Sequence, residues 1–389
     1  MKEKISSVEL TPLFVPFKPA VRKALGESEG GIGMAHPSEE EWLGAEFVII
    51  KVNCNDGNHG LGESSIWLPE SGITPKQVID VIKKGKLAKY LIGENPFNVE
   101  KINKKMDINV ARNEQAKGAL DMALYDLMGK ITNLPACCFM GGKNATEIPL
   151  AALIPLGSPM LMKGLVRSYY KKGYRTFRLK LGKGIQEDLE IVKTIRKAFG
   201  DAIRIRVDYN QAYTPSEAIK AIKAIEPYNI DFVEQPVRTG DFLGMVHVQK
   251  KVNTPLMNHE DFFSMRDFIS LVELGGARIL GIQSDRPGGV TKALKLIHYA
   301  RCKGLEVVIH KEPLGISSAM LIHLHAGQFF SIDHATELFG MEMMEEDLII
   351  ESLDYSGGMA KVPEKPGYGV ELDEKALQKY ATDETIIIE

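Results

Sequence analysis

Three carboxylates follow one another at equal intervals in this chain, each in a short apolar run. Asp208 stands in RIRVDYN, Glu234 in DFVEQP and Glu260 in TPLMNHE, and each lies 26 residues after the one before it. Such an interval holds about one strand, one helix and two loops, so we expect the acids at equivalent ends of successive βα units. In a parallel barrel those ends converge on one mouth. The interval therefore favours a barrel with the three acids at its mouth.

The same alternation of short apolar runs and amphipathic segments continues beyond the three acids. Eight runs alternate with segments whose apolar residues recur at three- and four-residue steps. The runs are EIPLAALI, YRTFRLKLG, IRIRVDYN, IDFVEQP, TPLMNHE, RILGIQSD, LEVVIH and FFSIDHATEL. Eight strands alternating with helices indicate a parallel barrel in preference to an open sheet, and we place it at residues 143–350.

Residues 1–142 have a different pattern. Two strand-like runs, SVELTPLFVPF and AEFVIIKVNC, come first, and helical patterns such as NEQAKGALDMALYDLMGKI follow. Strands followed by helices predict a separate α+β domain. The Gly-rich acidic stretch GESEGGIGMAHPSEEE between the two runs predicts a mobile loop.

Composition narrows the class of function. A net charge of −3 gives no long-range attraction for nucleic acid or anionic lipid, and no apolar run is long enough to span a bilayer. The four cysteines show neither zinc-finger spacing nor a secreted disulfide pattern, and the N-terminus lacks a signal-peptide core. These features predict a cytoplasmic protein that acts on a small molecule.

The three spaced acids predict a metal site. Three anionic oxygens that meet at one point repel one another unless a hard cation lies between them. An all-oxygen ligand set suits Mg²⁺ better than zinc or copper. We therefore expect Asp208, Glu234 and Glu260 to hold Mg²⁺.

A pair of cations lies one strand before the first acid. Arg178 and Lys180 point to the same face of YRTFRLKLG because side chains alternate along a strand. Neighbouring cations disfavour each other's charge, and the lysine is the one that can lose its proton near neutrality. Lys180 is thus a candidate general base, and the alternative is an ion pair with nearby acids at the barrel rim.

The regular interval continues downstream to Asp285, His310 and Glu337, with steps of 25, 25 and 27 residues. His310 ends LEVVIH on the side of the barrel opposite Lys180. A neighbouring carboxylate fixes the tautomer of a histidine and makes it more basic, so Asp285 with His310 could form a second acid/base unit. The alternative is a structural histidine. Glu337 completes the series of candidate catalytic residues.

Taken together, these residues resemble the enolase superfamily, in its mandelate racemase and muconate lactonising enzyme branch. The resemblance is carried by ALDMALYDLMGK followed by MGG, by the RxK strand, DYN, EQP and Glu260, by the GG after the sixth strand, by His310 and by the tail PEKPGYGVELDE. It implies an α/β fold, a modified (β/α)7β TIM barrel with an N-terminal α+β capping domain. It also implies that residues 351–389 return to the cap and that the protein is a homo-oligomer.

The resemblance further implies a reaction. In this family Mg²⁺, here on Asp208, Glu234 and Glu260, stabilises the enediolate formed when the proton α to a substrate carboxylate is removed. The leading prediction is dehydration of a small hydroxy acid or sugar acid. The alternative is a racemase or epimerase that uses Lys180 and His310 as opposed bases. A non-catalytic binding protein on the same fold and a Schiff-base aldolase using Lys180 are the other possibilities.

Three departures from the family pattern bear on this choice. The usual KxK is here Arg178-x-Lys180, whose guanidinium could also grip a substrate carboxylate. No lysine ends the sixth strand, which argues against the muconate lactonising, succinylbenzoate synthase and dipeptide epimerase groups. Either Asp285 or Gln283 partners His310, and Asp285 is favoured because the SD pair ends its strand as the family's acid does.

The remaining predictions concern the substrate. In this family the cap contacts the distal part of the substrate. Trp67 would suit an apolar substituent, and His36 would suit a hydroxyl or an amine. Asn210 and Gln283 are the predicted substrate-binding residues at the strand ends.

Overall fold

The computed structural model describes residues 2–22, 43–311 and 313–389. The predicted mobile loop, with His36 in it, lies outside the described residues. Within the described part of the chain no helix is long and apolar enough to cross a membrane.

The chain begins with an antiparallel sheet that is covered by helices. Its first three strands are β1 (Ile5–Pro16), β2 (Gly44–Cys54) and β3 (His59–Ile66). The helices are α1 (Leu68–Ser71), α2 (Pro75–Lys83), α3 (Val99–Asn109) and α4 (Glu114–Thr132). Helix α4 packs directly on β3, where a Cβ at Gly60 or Gly62 would lie 2.0 Å from a helix carbonyl oxygen. Glycine at these two positions therefore permits the close approach of helix and sheet.

A parallel barrel follows the short strand β4 (Glu147–Pro149). Its strands are β5 (Ala151–Ile154), β6 (Thr176–Lys180), β7 (Arg204–Asp208), β8 (Val233–Glu234), β9 (Leu256–Asn258), β10 (Ile279–Ile282), β11 (Glu306–Lys311) and β12 (Glu337–Leu338). The helices between them are α5 (Pro159–Lys171), α6 (Ile185–Phe199), α7 (Pro215–Ile225), α8 (Phe242–Gln249), α9 (Met265–Leu274), α10 (Val290–Lys303) and α11 (Gly315–Gly327). Each predicted run contains its barrel strand except LEVVIH, which stops one residue before the end of β11. Seven helices between eight strands confirm the predicted (β/α)7β architecture.

The barrel closes between its last and first strands. The backbone N–H of Ala151 donates to the carbonyl of Thr336 at 2.8 Å, and the N–H of Thr336 donates to the carbonyl of Pro149 at 2.9 Å. Leu150 and Thr336 form a parallel bridge. This closure leaves the barrel without a free edge.

Local sequence accounts for the helices that surround the barrel. In α7, Thr214 accepts from the backbone N–H of Glu217, whose side chain accepts in return from Thr214, and Pro215 occupies the first turn. The buried residues of α7 are Ala218, Ala221, Ile222 and Ile225. This three- and four-residue spacing turns one apolar face toward the barrel strands.

The end of the chain returns to the first sheet. After the barrel come α12 (Gly340–Met343), β13 (Met359–Lys361), α13 (Glu374–Tyr380) and β14 (Ile386–Ile388). β13 pairs with β4, and β14 pairs antiparallel with β1. The boundaries at residues 142 and 350 and the assignment of residues 351–389 as a separate segment remain predictions.

Candidate active site

A cavity of about 410 Å³ opens at the C-terminal ends of the barrel strands, a volume suited to a small organic ligand. Its charged and amide side chains come mainly from strand ends and include Arg178, Lys180, Asn210, His259, Lys311 and Glu70. Its apolar wall includes Phe17, Trp67, Leu165, Tyr169, Phe339 and Met343. The lining thus combines charged and amide groups with apolar side chains.

The strand register brings most of the predicted site residues to one face. Lys180 is paired with Asp208, Asp208 with Glu234, and His310 with Glu337. Paired residues of parallel neighbours point to the same side of a sheet. All five side chains are buried at the barrel mouth. This common direction is the physical basis of the regular interval in the sequence.

Lys180 lines the cavity and is held by two neighbours. Its Nζ donates to Asp208 Oδ2 at 2.6 Å and to Asn210 Oδ1 at 2.8 Å. The amine is therefore ion-paired at the barrel rim and also faces the cavity, and its role as general base stays a prediction. Asn210, a predicted substrate-binding residue, lines the cavity too and orients the amine.

Arg178 lies among the carboxylates. Its Nη1 donates to Asp208 at 3.2 Å and to Glu234 at 3.1 Å, and its Nη2 lies 2.7 Å from Glu337 Oε1. Glu337 also accepts from Arg206 at 3.0 Å and is fully buried. Two arginines thus neutralise Glu337, so the geometry gives it a charge-balancing position; a catalytic role for it stays a prediction.

The three spaced acids have different surroundings. Burial, together with the charge of Asp208, raises the pKa of Glu234 to about 7. Burial opposes ionisation of Asp208 as well, but Lys180 and Arg178 outweigh it and lower its pKa. Glu260 accepts from Asn210 Nδ2 at 3.1 Å through Oε1, and its buried Oε2 has no hydrogen-bond partner among the described residues. An acidic cluster with an unsatisfied buried oxygen fits a divalent cation.

The acid and histidine side chains that converge most closely differ from the predicted set. In the described part of the chain, ligand atoms of Glu234, His259 and His310 all lie within 4.8 Å of one another. Of the predicted three, only Glu234 belongs to this group. Asp208 is instead engaged by Lys180 and Arg178.

His310 does not have the surroundings that the sequence predicted. Its ring centroid lies 4.6 Å from that of His259, and its buried Nε2 has no hydrogen-bond partner among the described residues. Burial, reinforced by positive neighbours such as His259 and Arg178, holds the pKa of His310 well below its usual range. The expectation that a carboxylate makes it more basic was therefore wrong.

Neither candidate partner of His310 is hydrogen-bonded to it among the described residues. Gln283 Oε1 accepts from Arg286 Nε at 2.7 Å and from Lys311 Nζ at 3.2 Å, and its amide nitrogen contacts His259. Asp285 lies 3.6 Å from Lys311 Nζ. Both residues therefore surround Lys311.

Sequence reasoning missed Lys311 and His259, each adjacent to a residue that it did identify. Lys311 ends β11 and lines the cavity, although only 6% of it is exposed. His259 follows Met257 by two residues and so continues the face of the buried Met257 on β9. The period-two pattern could have indicated His259, whereas Lys311 directly follows His310 and strict alternation assigns it to the other face of β11.

Trp67 lines the cavity as predicted, and Glu70, which follows it in α1, adds a carboxylate. Glu70 forms an ion pair with Arg286 and lies 3.5 Å from His259 Nε2. Gln283 contacts the cavity residues Lys311 and His259. The cavity therefore includes side chains from both the first α+β region and the barrel.

Fold and cavity together define a (β/α)7β barrel with an α+β region before it and with buried acidic and basic side chains at its mouth. Residues 161–376 match the family described as Enolase C-terminal domain-like, and residues 34–141 match the Mandelate racemase / muconate lactonizing enzyme, N-terminal domain. The chain belongs to the mandelate racemase/muconate lactonizing enzyme branch of the enolase superfamily. The resemblance identified from the sequence is thereby confirmed.

Individual relatives are isomerases. The chain is 31% identical to the N-succinyl-L-Arg/Lys racemase of Bacillus cereus over 87% of this chain and 91% of the relative. It is 35% identical to the hydrophobic dipeptide epimerase of Enterococcus faecalis over 73% and 80% of the two chains. The crystal structure of the Bacillus cereus racemase superposes with a TM-score of 0.87 at 28% identity, over 99% of this chain and 100% of that one.

A second crystal structure shows what such a relative binds. The Enterococcus faecalis dipeptide epimerase in complex with Mg and the dipeptide L-Leu-L-Tyr superposes with a TM-score of 0.84 at 29% identity, over 95% of this chain and 99% of that one. This chain is therefore an enzyme of the superfamily, in the range of lyases and isomerases that the sequence predicted.

Proposed function

We propose that this enzyme racemises or epimerises a 2-substituted carboxylic acid, with Lys180 and Lys311 as the two proton carriers. The observation that carries the proposal is that both amines line one cavity. The racemase and epimerase activities of the relatives also support racemisation or epimerisation over dehydration, the leading prediction from the sequence. Lys311 takes the place that the sequence-based alternative gave to His310.

The two lysines approach the cavity from different sides of the barrel. Lys180 ends β6, the second barrel strand, and Lys311 ends β11, the seventh. Three steps around an eight-stranded barrel correspond to about 135°, so a substrate between the two amines presents different faces to them. The absence of a lysine at the end of the sixth strand argued against a dipeptide epimerase. Lys311, at the end of the seventh strand, would supply the second amine that such an enzyme needs.

A divalent cation, Mg²⁺ by the family resemblance, would be held by Asp208, Glu234 and Glu260. When bound, it would neutralise the negative charge that develops on the substrate carboxylate as the α-proton leaves. The Mg in the dipeptide epimerase structure supports this assignment. The unsatisfied Glu260 Oε2 supports it from within this chain.

The protein side chains carry the proton in both directions. Neutral Lys180 takes the α-proton from one face, the C–H electron pair moves into the carboxylate system, and the Lys311 ammonium donates a proton to the other face. The α-carbon is inverted and the two lysines exchange protonation states. Asp285 and Gln283 Oε1 stabilise the ammonium form of Lys311.

The apolar wall indicates the substrate class. Phe17, Trp67 and Tyr169 are among the apolar residues that line the cavity. Such a wall favours a substituent with a large apolar surface, as in an N-acylated amino acid or a hydrophobic dipeptide, over a polyhydroxylated sugar acid. A cytoplasmic location and a homo-oligomeric state remain predictions.

Proton exchange tests the function. A panel of N-acyl amino acids and hydrophobic dipeptides of both configurations is incubated with enzyme and MgCl₂ in D₂O, and loss of the α-proton signal is followed by NMR. We expect the unmodified enzyme to exchange both configurations of its substrate. Lys180→Ala and Lys311→Ala should each lower exchange from one configuration about a hundredfold or more, and from opposite configurations.

The matched control is Lys183→Ala, which removes an exposed lysine just after β6 and should leave exchange unchanged. Formation of a 2-oxo acid from a sugar acid, with no exchange on the panel, would instead support dehydration. Full exchange of both configurations by Lys311→Ala would remove that residue from the mechanism.

A further inference from the structure

A glutamate that the proposed mechanism does not use lines the cavity. Glu342 lies on α12 between the barrel and the tail, and Phe339 and Met343 beside it in the sequence also line the cavity. The side chain of Glu342 makes no ion pair and no hydrogen bond with any residue that the structure describes. Glu70, another acid in the lining, is by contrast paired with Arg286. Glu342 therefore offers the cavity a carboxylate that no protein cation neutralises.

Backbone contacts fix the segment that carries this carboxylate. The backbone N–H of Lys18, just after β1, donates to the carbonyl of Met343 at 2.8 Å. The Nζ of Lys18 donates to the carbonyl of Met341 at 2.5 Å, and within the described part of the chain it makes no ion pair with Glu342. The end of β1 thus holds both sides of Glu342 in place without supplying its counter-charge, so the position of the carboxylate is set before a ligand binds.

The surroundings of Glu342 suit an organic cation. Burial, reinforced by the charge of Glu342, raises the pKa of Tyr169 on α5, a ring that also lines the cavity. A carboxylate close to an aromatic ring suits an ammonium or guanidinium group, because both attract positive charge. Leu165, one turn before Tyr169, adds an apolar contact to the lining. Lysine and arginine side chains combine an apolar stem with a charged end in the same way.

We propose that Glu342 selects substrates whose substituent ends in a positive charge, such as an Nα-acylated lysine or arginine. The proposal rests on the proposed function for the reacting carboxylic acid and adds a requirement for charge on its substituent. The methylene stem contacts Leu165 and Tyr169, and the cationic group binds Glu342. An anionic substituent is disfavoured because its carboxylate would face that of Glu342. The α-ammonium of a dipeptide has the same chemistry, and the experiment distinguishes the two sources.

Isothermal titration calorimetry in MgCl₂ tests the proposal without requiring turnover. Nα-acetyl-L-lysine is compared with Nα-acetyl-L-norleucine, and L-alanyl-L-leucine with N-acetyl-L-alanyl-L-leucine, so that one member of each pair lacks the positive charge. We expect the cationic member of at least one pair to bind about tenfold or more tightly than its neutral partner. The pair that shows the preference identifies the group that binds Glu342. Equal affinities within both pairs would overturn the proposal.

Substitutions assign the preference to Glu342. Glu342→Gln keeps the size of the side chain and should remove most of the preference without weakening binding of the neutral compound. Glu342→Lys should instead favour Nα-acetyl-L-glutamate over Nα-acetyl-L-lysine. The matched control is Glu346→Gln, which keeps an acceptor oxygen for the backbone N–H of Asp347 and should retain the preference. A preference that persists in Glu342→Gln would show that another group binds the cation and would overturn the proposal.

The binding measurement and the α-proton exchange experiment fail independently. A charge preference that depends on Glu342, with no exchange on any compound, would reject the proposed function and leave the role of Glu342 standing. Exchange without a charge preference would support the proposed function and reject the role of Glu342.

Discussion

Arg178 is the residue on which the charge balance of the site depends. Its guanidinium contacts Asp208, Glu234 and Glu337 and is 2% exposed. The sequence offered it as a group that binds a substrate carboxylate, but in the structure its guanidinium contacts carboxylates of the protein instead. An arginine cannot lose its proton near neutrality, so it supplies a fixed positive charge beside Lys180.

Replacing Arg178 should destabilise the cation-free protein strongly. Arg178→Met leaves three buried carboxylates without this partner, and removing one member of a buried ion pair costs about 3–5 kcal/mol. Arg178→Lys keeps the charge and should lose less. The measurement is the free energy of unfolding in urea with EDTA present.

The matched control is Arg204→Met, since Arg204 makes an exposed ion pair with Asp231. Its loss should cost at most about 1 kcal/mol. Equal losses for Arg178→Met and Arg204→Met would show that the buried network contributes no more than a surface pair.

At the scale of secondary-structure elements, a single carboxylate joins β3 to α11. Glu63 is fully buried and accepts from the backbone N–H groups of Leu314 and Ser317, at 2.9 and 3.1 Å. These N–H groups begin α11, where a negative charge is favourable. Burial nevertheless dominates and raises the pKa of Glu63 to about 7.

This shift predicts a pH-dependent contribution to stability. The pKa of Glu63 is higher in the folded protein than its value of 4.5 in the unfolded chain. Its contribution to the free energy of unfolding is therefore complete below pH 4.5 and is lost as the pH rises through about 7. The difference in unfolding free energy between the unmodified protein and Glu63→Gln should therefore fall by about 3 kcal/mol from pH 4 to pH 8. Urea unfolding at several pH values measures it, and parallel curves for the two proteins would contradict the assignment.

At the scale of the whole molecule, the tail and the first sheet meet at Asp126 on α4. Its side chain accepts from the backbone N–H of Leu61 on β3 at 2.9 Å and of Tyr368 in the tail at 2.7 Å. It also pairs with Lys130. One buried carboxylate thus connects three segments far apart in sequence, in the region that contributes Trp67 to the cavity.

Asp126→Ala should weaken this connection. It leaves two backbone N–H groups unsatisfied, at about 1–3 kcal/mol each. Asp126→Asn keeps one acceptor oxygen and should lose less. Unfolding free energies measure both, and Glu351→Gln, which removes only an exposed ion pair with Lys365, should change stability by less than about 0.5 kcal/mol. An Asp126→Ala variant as stable as this control would contradict the role.

The sequence by itself determined the barrel and several of the buried residues at its mouth. Period-two alternation and a regular βα interval act locally, so Lys180, Asp208, Glu234 and His310 could be assigned to one face from residue spacing alone. The register pairs at the barrel mouth and the spacing of the motifs that carry the family resemblance follow from the same local rules.

Only the tertiary structure decided which neighbouring side chains reach the cavity. Lys311 in addition to His310, and His259 beside Glu260, lie where strands end and the strict alternation no longer holds. Their directions depend on contacts with Gln283, Arg286 and Glu70, which come from other strands and from the cap region. The sequence interval placed the spaced acids at the barrel mouth, and long-range packing selected the groups around them.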